Sequence, residues 1–205
     1  MKSQAVVWPA QGLAAIEEIE LHEPGSGEVL LEAECTLISP GTERAFLLSL
    51  PNAAGRYPAR PGYNFVGRVK AVGAGVEGVA VGDRVAASAS HAAHALASPG
   101  RMVPVPEELD AEAAVFFNMA TIALQGMRRA HIELGESVAV VGQGLIGLLA
   151  LQFCRLQGDC PWWPWTRWSP GWNWPARAAR TSLQTPRTKN SWGRSSRDWG
   201  AEHGW

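Results

Sequence analysis

Three glycines that follow a short apolar run carry the clearest chemical signal in the sequence. Residues 138–141 read Val-Ala-Val-Val and residues 142–147 read Gly-Gln-Gly-Leu-Ile-Gly, before a helix-forming stretch. In a strand-to-helix turn of this G-x-G-x-x-G type, the first glycine permits a tight turn, the second lets the backbone approach a pyrophosphate, and the third lets the helix pack on the strand. Backbone N–H groups at the helix start would face the phosphates. We predict a dinucleotide-binding site at Gly142, Gly144, Leu145, Ile146 and Gly147, with glycines that serve packing alone as the alternative.

The acidic residue that binds the ribose in such a site is absent from the sequence that follows. It is expected about 20 residues after the glycines. Residues 159–205 instead hold nine of the ten tryptophans and, of the Val, Ile, Leu, Met and Phe set, only Leu183. Prolines interrupt the tryptophans, which follow neither the helical nor the strand period for long. We therefore expect residues 159–205 to be irregular, and the dinucleotide-binding domain to stop after its first strand and helix.

The genetic code offers an explanation for this tail, because tryptophan has a single codon. Starting each codon of residues 162–166, Trp-Trp-Pro-Trp-Thr, one base earlier gives (Val/Leu/Met)-Val-Ala-(Val/Leu/Met)-Asp. That is a buried strand ending in an acid near position 165, where the ribose-binding residue is expected. We therefore expect that a frameshift truncated the chain. A genuine Trp-rich tail that binds a partner through stacking or cation–π contacts is the alternative.

The first hundred residues predict short strands separated by turns. The glycine-rich run over residues 72–85 is typical of a connection between strands. Residues 110–130 predict a helix with Asp110 as its N-cap. The strands are predicted over residues 4–8, 14–19, 28–38, 65–72, 84–88 and 101–105.

Four segments together resemble the medium-chain dehydrogenase/reductase, or alcohol dehydrogenase-like, superfamily. They are residues 38–44 (Ile-Ser-Pro-Gly-Thr-Glu-Arg), residues 61–69 (Pro-Gly-Tyr-Asn-Phe-Val-Gly-Arg-Val), the run 72–85 and the turn 142–147. The resemblance implies an NAD(P)-dependent oxidoreductase that transfers a hydride, with the choice between NAD and NADP open. The first segment, followed by Arg-Tyr-Pro and Pro-Gly-Tyr, resembles the zinc-free branch that includes bacteriochlorophyllide a dehydrogenase-like proteins.

The same resemblance implies an α/β fold made of unequal parts. A β-rich GroES-like N-terminal domain with its linking helix would occupy residues 1–125, and an incomplete Rossmann domain would begin over residues 126–158. The irregular tail over residues 159–205 would follow. Because the later Rossmann strands through which family dimers pair are absent, we expect neither the family's dimer interface nor much activity in this chain.

By this resemblance, the positions of the catalytic zinc ligands carry other residues. Pro40 stands where zinc-dependent members have the Cys of Cys-Gly-Thr-Asp, and Tyr63 stands where they have the His of Gly-His-Glu. Asn118 lies near the third ligand, and a neutral amide is a poor zinc ligand beside Cys and His. The loop that holds a structural zinc in classical members has no counterpart. We therefore expect no metal site.

The resemblance also suggests two catalytic residues, Thr42 and Tyr63. Thr42 lies where zinc-dependent members keep a hydroxyl that relays the substrate proton. The phenol of Tyr63 would donate a hydrogen bond or a proton to a substrate carbonyl. A Thr that only stabilises a turn and a Tyr that only packs beneath the nicotinamide are the alternatives.

Two nearby pairs of polar residues receive structural interpretations. We expect Glu43 and Arg44 to form a local ion pair that supports the site, or else an exposed turn. His91 and His94, three residues apart, could suggest a metal pair on one helical face. With Ala and Ser around them, we expect a solvated loop or strand instead.

Composition excludes several classes of function. The formal net charge of -1 gives no electrostatic reason to bind nucleic acid or anionic lipid, and no apolar run is long enough to span a bilayer. The N-terminus lacks the apolar region of a signal peptide. We therefore expect a cytoplasmic protein with a small-molecule substrate, and neither nucleic-acid nor membrane binding. A non-catalytic GroES-like module with a partner-binding tail, and a zinc-dependent alcohol dehydrogenase with unusual ligands, are the other two functions left open.

Overall fold

The described part of the chain is a β-rich region followed by a β-α-β unit. A computed structural model describes residues 1–133, 136–157 and 162–165. All of them lie in one unit of the chain, Met1–Thr166. No helix among these described residues is both long and apolar enough to cross a membrane.

The first two strands form a hairpin whose inner side is apolar. Strand β1 (Lys2–Val7) pairs antiparallel with β2 (Ala15–Glu20). Along β1 every second residue is buried, which is the strand period. The buried side of the hairpin packs on Ala92, and Ala5 forms an isolated bridge with that residue. The hairpin therefore covers the connection around residue 92, which contributes to the site described below.

Five further strands form one antiparallel sheet. In chain order they are β3 (Val29–Thr36), β4 (Phe65–Val72), β5 (Arg84–Ala87), β6 (His94–Ala97) and β7 (Met102–Pro104). Their order across the sheet is β6-β3-β4-β5-β7, and every neighbouring pair is antiparallel. A 3-10 turn at Pro99–Arg101 leads into β7.

Apolar residues cover both faces of this sheet. On one face a fully buried cluster contains Leu31 and Phe65; on the other, Val66 packs with the start of the helical region. Phe65 and Val66 are adjacent, and adjacent strand residues point to opposite faces. All four residues of β5 are buried, so the middle of the sheet is enclosed on both sides. This enclosure makes the sheet a rigid platform for the loops at its edge.

Helix α1 (Pro40–Leu47) follows β3, and two more helices follow β7. They are α2 (Ala111–Ala114) and α3 (Phe117–Ala130). The Asp110 side chain accepts a hydrogen bond from the Glu112 N–H, which confirms the predicted N-cap. The predicted single helix over residues 110–130 is interrupted, because the chain turns between α2 and α3 and buries Val115 against the sheet.

A β-α-β unit completes the described chain. It consists of β8 (Val138–Val141), α4 (Leu145–Gln157) and β9 (Trp162–Trp165). Strands β8 and β9 are parallel neighbours, with Val138 opposite Trp162 and Val141 opposite Trp165. Helix α3 packs along α4, where the Cys154 thiol donates to the Met127 sulfur at 3.5 Å.

The structure corrects three predictions about secondary structure. Helix α1 and strand β6 were not predicted, because each is short and lacks a clear apolar period. Strand β9 falls within residues 159–205, which we expected to be irregular, and a second parallel strand thus follows the first strand and helix. The remainder of that segment, residues 159–161 and 166–205, lies outside the described residues.

The enclosed sheet predicts a large cost for truncating a core side chain. Leu31 is fully buried, so Leu31→Ala should lower the free energy of unfolding by about 2–5 kcal/mol through lost contacts and a cavity. Leu13 is 59% exposed, and Leu13→Ala should change it by less than about 0.5 kcal/mol. Urea denaturation of the two variants, followed by circular dichroism, measures the difference. Equal changes in the free energy of unfolding for the two variants would contradict the burial of Leu31 in this core.

Candidate active site and nucleotide-binding turn

A buried carboxylate lies at the start of α1. Ser39 is the N-cap and Pro40 the first helical residue, a position where a missing N–H costs nothing. Glu43, one turn into the helix and only 7% exposed, accepts a hydrogen bond from the Ser39 N–H through Oε1 at 2.7 Å. Its Oε2 lies 2.9 Å from Nε2 of His91, which is 5% exposed. Because a carboxylate can only accept, the imidazole donates from Nε2.

The backbone of His91 is held from two sides. Its N–H donates to the Pro61 carbonyl and its carbonyl accepts from the Val6 N–H, both at 2.8 Å. Gly62, with φ of +117°, lies against this strand: a Cβ there would be 2.5 Å from the His91 nitrogen and 2.8 Å from the Ser90 carbonyl carbon. Only glycine combines a positive φ with the lack of a Cβ that this short distance requires. Residues 61–62 and 90–91 are therefore in close backbone contact.

The two predicted catalytic residues flank this arrangement. Thr42 immediately precedes Glu43 and is exposed, whereas Tyr63 immediately follows Gly62 and is half-buried. Neither hydroxyl has a hydrogen-bond partner among the described residues. The Glu43–His91 bond thus joins the chain segments that carry Thr42 and Tyr63, and the two hydroxyls do not bind each other. Two uncommitted hydroxyls are suited to hydrogen-bond a ligand.

Two interpretations from the sequence are wrong at this site. Glu43 does not pair with Arg44; its oxygens bind Ser39 and His91. His91 is not solvated but buried. Sequence reasoning missed this pair because the two residues are 48 positions apart.

The second histidine, His94, has different surroundings. It begins β6, where its Nδ1 lies 3.4 Å from the Ser3 hydroxyl and its Nε2 lies 3.8 Å from Glu32. Lys70 binds Glu32 at 2.9 Å, and this hydrogen bond holds the pKa of the Glu32 carboxyl below its usual range. The two histidines therefore have separate partners. Within the described residues no group of three His, Cys, Asp or Glu side chains could hold a metal ion.

Two asparagines, Asn64 beside Tyr63 and Asn118 near the third zinc-ligand position, differ in burial. Asn64, next to Tyr63, is fully buried, and its Nδ2 donates to the Leu37 carbonyl at 3.2 Å. The backbone carbonyl of Asn64 accepts from the Leu37 N–H at 3.1 Å, so the loop is held to the end of β3. Asn118 is half-buried in the first turn of α3.

The glycine turn between β8 and α4 has the geometry of a phosphate-binding turn. Gly142 has φ of +92°, which favours glycine. A Cβ on Gly147 would collide with the Gly142 carbonyl oxygen, so helix and turn are in direct contact there. A Cβ on Gly144 would meet nothing within 4 Å, so space is open above the second glycine. Leu145 and Ile146 begin α4, in the turn whose backbone N–H groups lack helical partners.

The position of the ribose-binding acid falls at the end of β9. In dinucleotide-binding units this acid follows the second strand. Here that strand ends at Trp165, opposite Val141, and the next residue is Thr166. The sequence therefore offers no carboxylate at this place.

The glycine turn predicts that two similar substitutions will differ. Gly147→Ala should destabilise the β8–α4 junction by about 1–3 kcal/mol, because the new methyl group has no room. Gly144→Ala, in open space, is the matched control and should leave the junction intact. Hydrogen exchange of the amides in residues 138–157 measures local opening. Equal protection in the two variants would show that the close contact at Gly147 is absent.

Comparisons with known proteins found a matching family model and similar dehydrogenases. Residues 25–103 match the family described as the alcohol dehydrogenase GroES-like domain. The L-threonine 3-dehydrogenase of Stenotrophomonas maltophilia (strain K279a) is 27% identical over 178 residues, which cover 68% of this chain and 50% of that protein. The chain thus spans about half the length of the curated relatives it matches.

Solved structures are similar over most of the chain. A protein described as a zinc-binding dehydrogenase from Sinorhizobium meliloti 1021, solved bound to NADP, has a TM-score of 0.74 at 24% identity, covering 82% of this chain and 57% of that one. A thermostable alcohol dehydrogenase from Pyrobaculum aerophilum has a TM-score of 0.71 at 26% identity, covering 80% and 59%. The chain therefore has a segment that matches the alcohol dehydrogenase GroES-like domain, followed by a β-α-β unit, and its fold is similar to that of these dehydrogenase structures.

Proposed function

We propose that this chain is the first half of a zinc-independent oxidoreductase that transfers a hydride between NAD(P)H and a small molecule with a carbonyl, hydroxyl or activated alkene. The observation that carries the proposal is the β8–α4–β9 unit with its glycine turn. It follows a GroES-like domain in which Thr42 adjoins Glu43, and Glu43 binds the buried His91. In this proposal the GroES-like domain and linking helix occupy residues 1–125, and the Rossmann domain starts at residue 126.

The turn fits the phosphates of a nicotinamide dinucleotide. Gly142 supplies the tight turn, and the open space at Gly144 would admit the pyrophosphate to the backbone. The N–H groups of Leu145, Ile146 and Gly147 would donate to it from the first turn of α4. When bound, the dinucleotide supplies or accepts the hydride, and the protein supplies position and electrostatics. The NADP bound to the Sinorhizobium meliloti structure supports this class of cofactor.

Zinc does not fit the corresponding positions. Pro40 has no side-chain donor atom, and the Asn118 amide is a poor ligand. Tyr63 presents a phenol in place of an imidazole. We therefore derive no step through a metal. In our proposal the Tyr63 hydroxyl donates a hydrogen bond to the substrate oxygen, and the exposed Thr42 hydroxyl carries the substrate proton toward solvent.

The natural protein, in this proposal, continues in another reading frame after α4. Strand β9 supports this view, because it lies where a second Rossmann strand belongs although its sequence is Trp-Trp-Pro-Trp. The shifted frame would place an apolar strand there with an Asp at its end. This sequence has no Asp at that place, so its own affinity for the cofactor is expected to be low.

Restoring the frame should create cofactor binding. Calorimetry with NADH and NADPH should give little or no binding for this chain, and clear binding for a frame-restored chain that carries the Asp. The matched control is the restored chain with that Asp changed to Asn, which should bind more weakly because the ribose hydroxyls lose a charged acceptor. Tight binding by this chain itself would contradict the proposal.

Hydride transfer by the frame-restored chain should depend on Tyr63 and not on a metal. Tyr63→Phe keeps the ring and removes the hydroxyl, and should lower kcat about 10²–10⁴-fold if the phenol acts as an acid. Thr42→Val should also lower kcat. Activity is followed by NAD(P)H absorbance before and after a zinc chelator. Loss of activity on chelation, with metal found in the purified protein, would favour a zinc-dependent alcohol dehydrogenase instead.

A further inference from the structure

We propose that Glu43 and His91 are positioning residues that hold Thr42 and Tyr63 in one site. This inference rests on the proposed function, because that function assigns the two hydroxyls. It adds to that function the contacts that set the relative position of Thr42 and Tyr63 where zinc ligands are absent. The bond that carries the inference joins Glu43 Oε2 to His91 Nε2 at 2.9 Å.

The first half of the argument concerns Thr42. Glu43 is buried, and one of its oxygens accepts from the Ser39 N–H at 2.7 Å. Thr42 lies between these two residues in sequence, within the turn that this bond closes. Together with the bond from the Glu43 N–H to the Ser39 carbonyl at 2.9 Å, the carboxylate holds the backbone that carries Thr42.

The second half concerns Tyr63. The His91 N–H binds the Pro61 carbonyl, and a side chain on Gly62 would strike the backbone at residues 90–91. A displacement of His91 must therefore displace residues 61–62, and Tyr63 comes next in the chain. The His91 carbonyl accepts from Val6, which anchors the histidine to β1.

Burial makes this connection costly to lose. Glu43 and His91 are both nine-tenths or more buried, so neither can replace a lost partner with bulk water. Removing the carboxylate leaves the Ser39 N–H and the His91 Nε2–H without acceptors. We expect the segments around residues 39–43 and 61–63 to move apart when that happens.

The sequence offers a clean probe, because it contains only two tyrosines, Tyr57 and Tyr63. The Tyr57 hydroxyl donates to the Phe46 and Leu47 carbonyls at the other end of α1, so it serves as an internal reference. Fluorotyrosine labelling of the full chain should give two fluorine NMR resonances. In Glu43→Ala we expect the Tyr63 resonance to shift or broaden and the Tyr57 resonance to stay unchanged.

Two further variants separate positioning from general stability. Glu43→Gln keeps the length and an acceptor oxygen for the Ser39 N–H, and should restore part of the Tyr63 signal. Glu17→Ala, at an exposed position on β2, is the control and should leave both resonances unchanged. Hydrogen exchange adds a direct reading, since the Ser39 and His91 amides should exchange about tenfold faster in Glu43→Ala.

Each outcome decides the proposal. A Tyr63 shift that Glu43→Gln partly reverses supports it, and an unchanged Tyr63 resonance in Glu43→Ala overturns it. If Glu43→Ala unfolds the chain, His91→Phe retains an aromatic ring and takes its place. A Tyr63 shift in His91→Phe, with β3 to β5 still protected, supports the proposal, and no shift overturns it. Failure of the proposed function would look different: the frame-restored chain would transfer no hydride while the Tyr63 shift remained.

Discussion

The side chain of Glu43 is the constraint on which the candidate site depends. A carboxylate taken out of water must find donors inside the protein, and here it finds the Ser39 N–H and the His91 ring. Those two donors come from different segments of the chain, one from the start of α1 and the other from the connection between β5 and β6. The same pair of bonds that satisfies the charge thereby brings together segments that lie far apart in sequence.

In our proposal this arrangement organises a dehydrogenase-like site without zinc. A metal draws its ligands together from separate segments, and buried charged hydrogen bonds have the same geometric effect. In that proposal Pro40, Tyr63 and Asn118 stand where zinc ligands would be needed. Glu43 and His91 supply the connection between α1 and the loop at residues 61–64. In our proposal the catalytic hydroxyls then act on a substrate whose hydride partner lies at the glycine turn of the second domain.

Much of the fold followed from the sequence because its signals are local. The alternation over residues 65–72 predicted β4 with the observed bounds, Asp110 was recognised as an N-cap, and the glycine turn was placed between β8 and α4. The Glu43–His91 pair depends on tertiary contact, and no pattern within a short window could indicate it. A charged residue one turn after a Ser-Pro helix start was the available hint, since a carboxylate there can accept from the N-cap amide.

Strand β9 is an element of the structure that the local sequence pattern did not predict. Its sequence, Trp-Trp-Pro-Trp, contains a proline, which argues against a strand inside a sheet, yet it pairs in parallel with β8. A strand at this place follows the order of a β-α-β unit, in which the helix returns the chain to pair in parallel with the first strand. The claim that this chain begins a nicotinamide-dependent dehydrogenase depends on the reading frame of that strand.

The most direct test of this claim is the nucleotide sequence across the codons for residues 157–168, determined from an independent genomic copy. Our account predicts a one-base difference that replaces Trp-Trp-Pro-Trp-Thr by an apolar strand ending in Asp, and an open reading frame that continues through the rest of a Rossmann domain. If the independent copy carries the same frame as this chain, the claim is contradicted, and the tryptophan-rich segment must be explained as a genuine part of the protein.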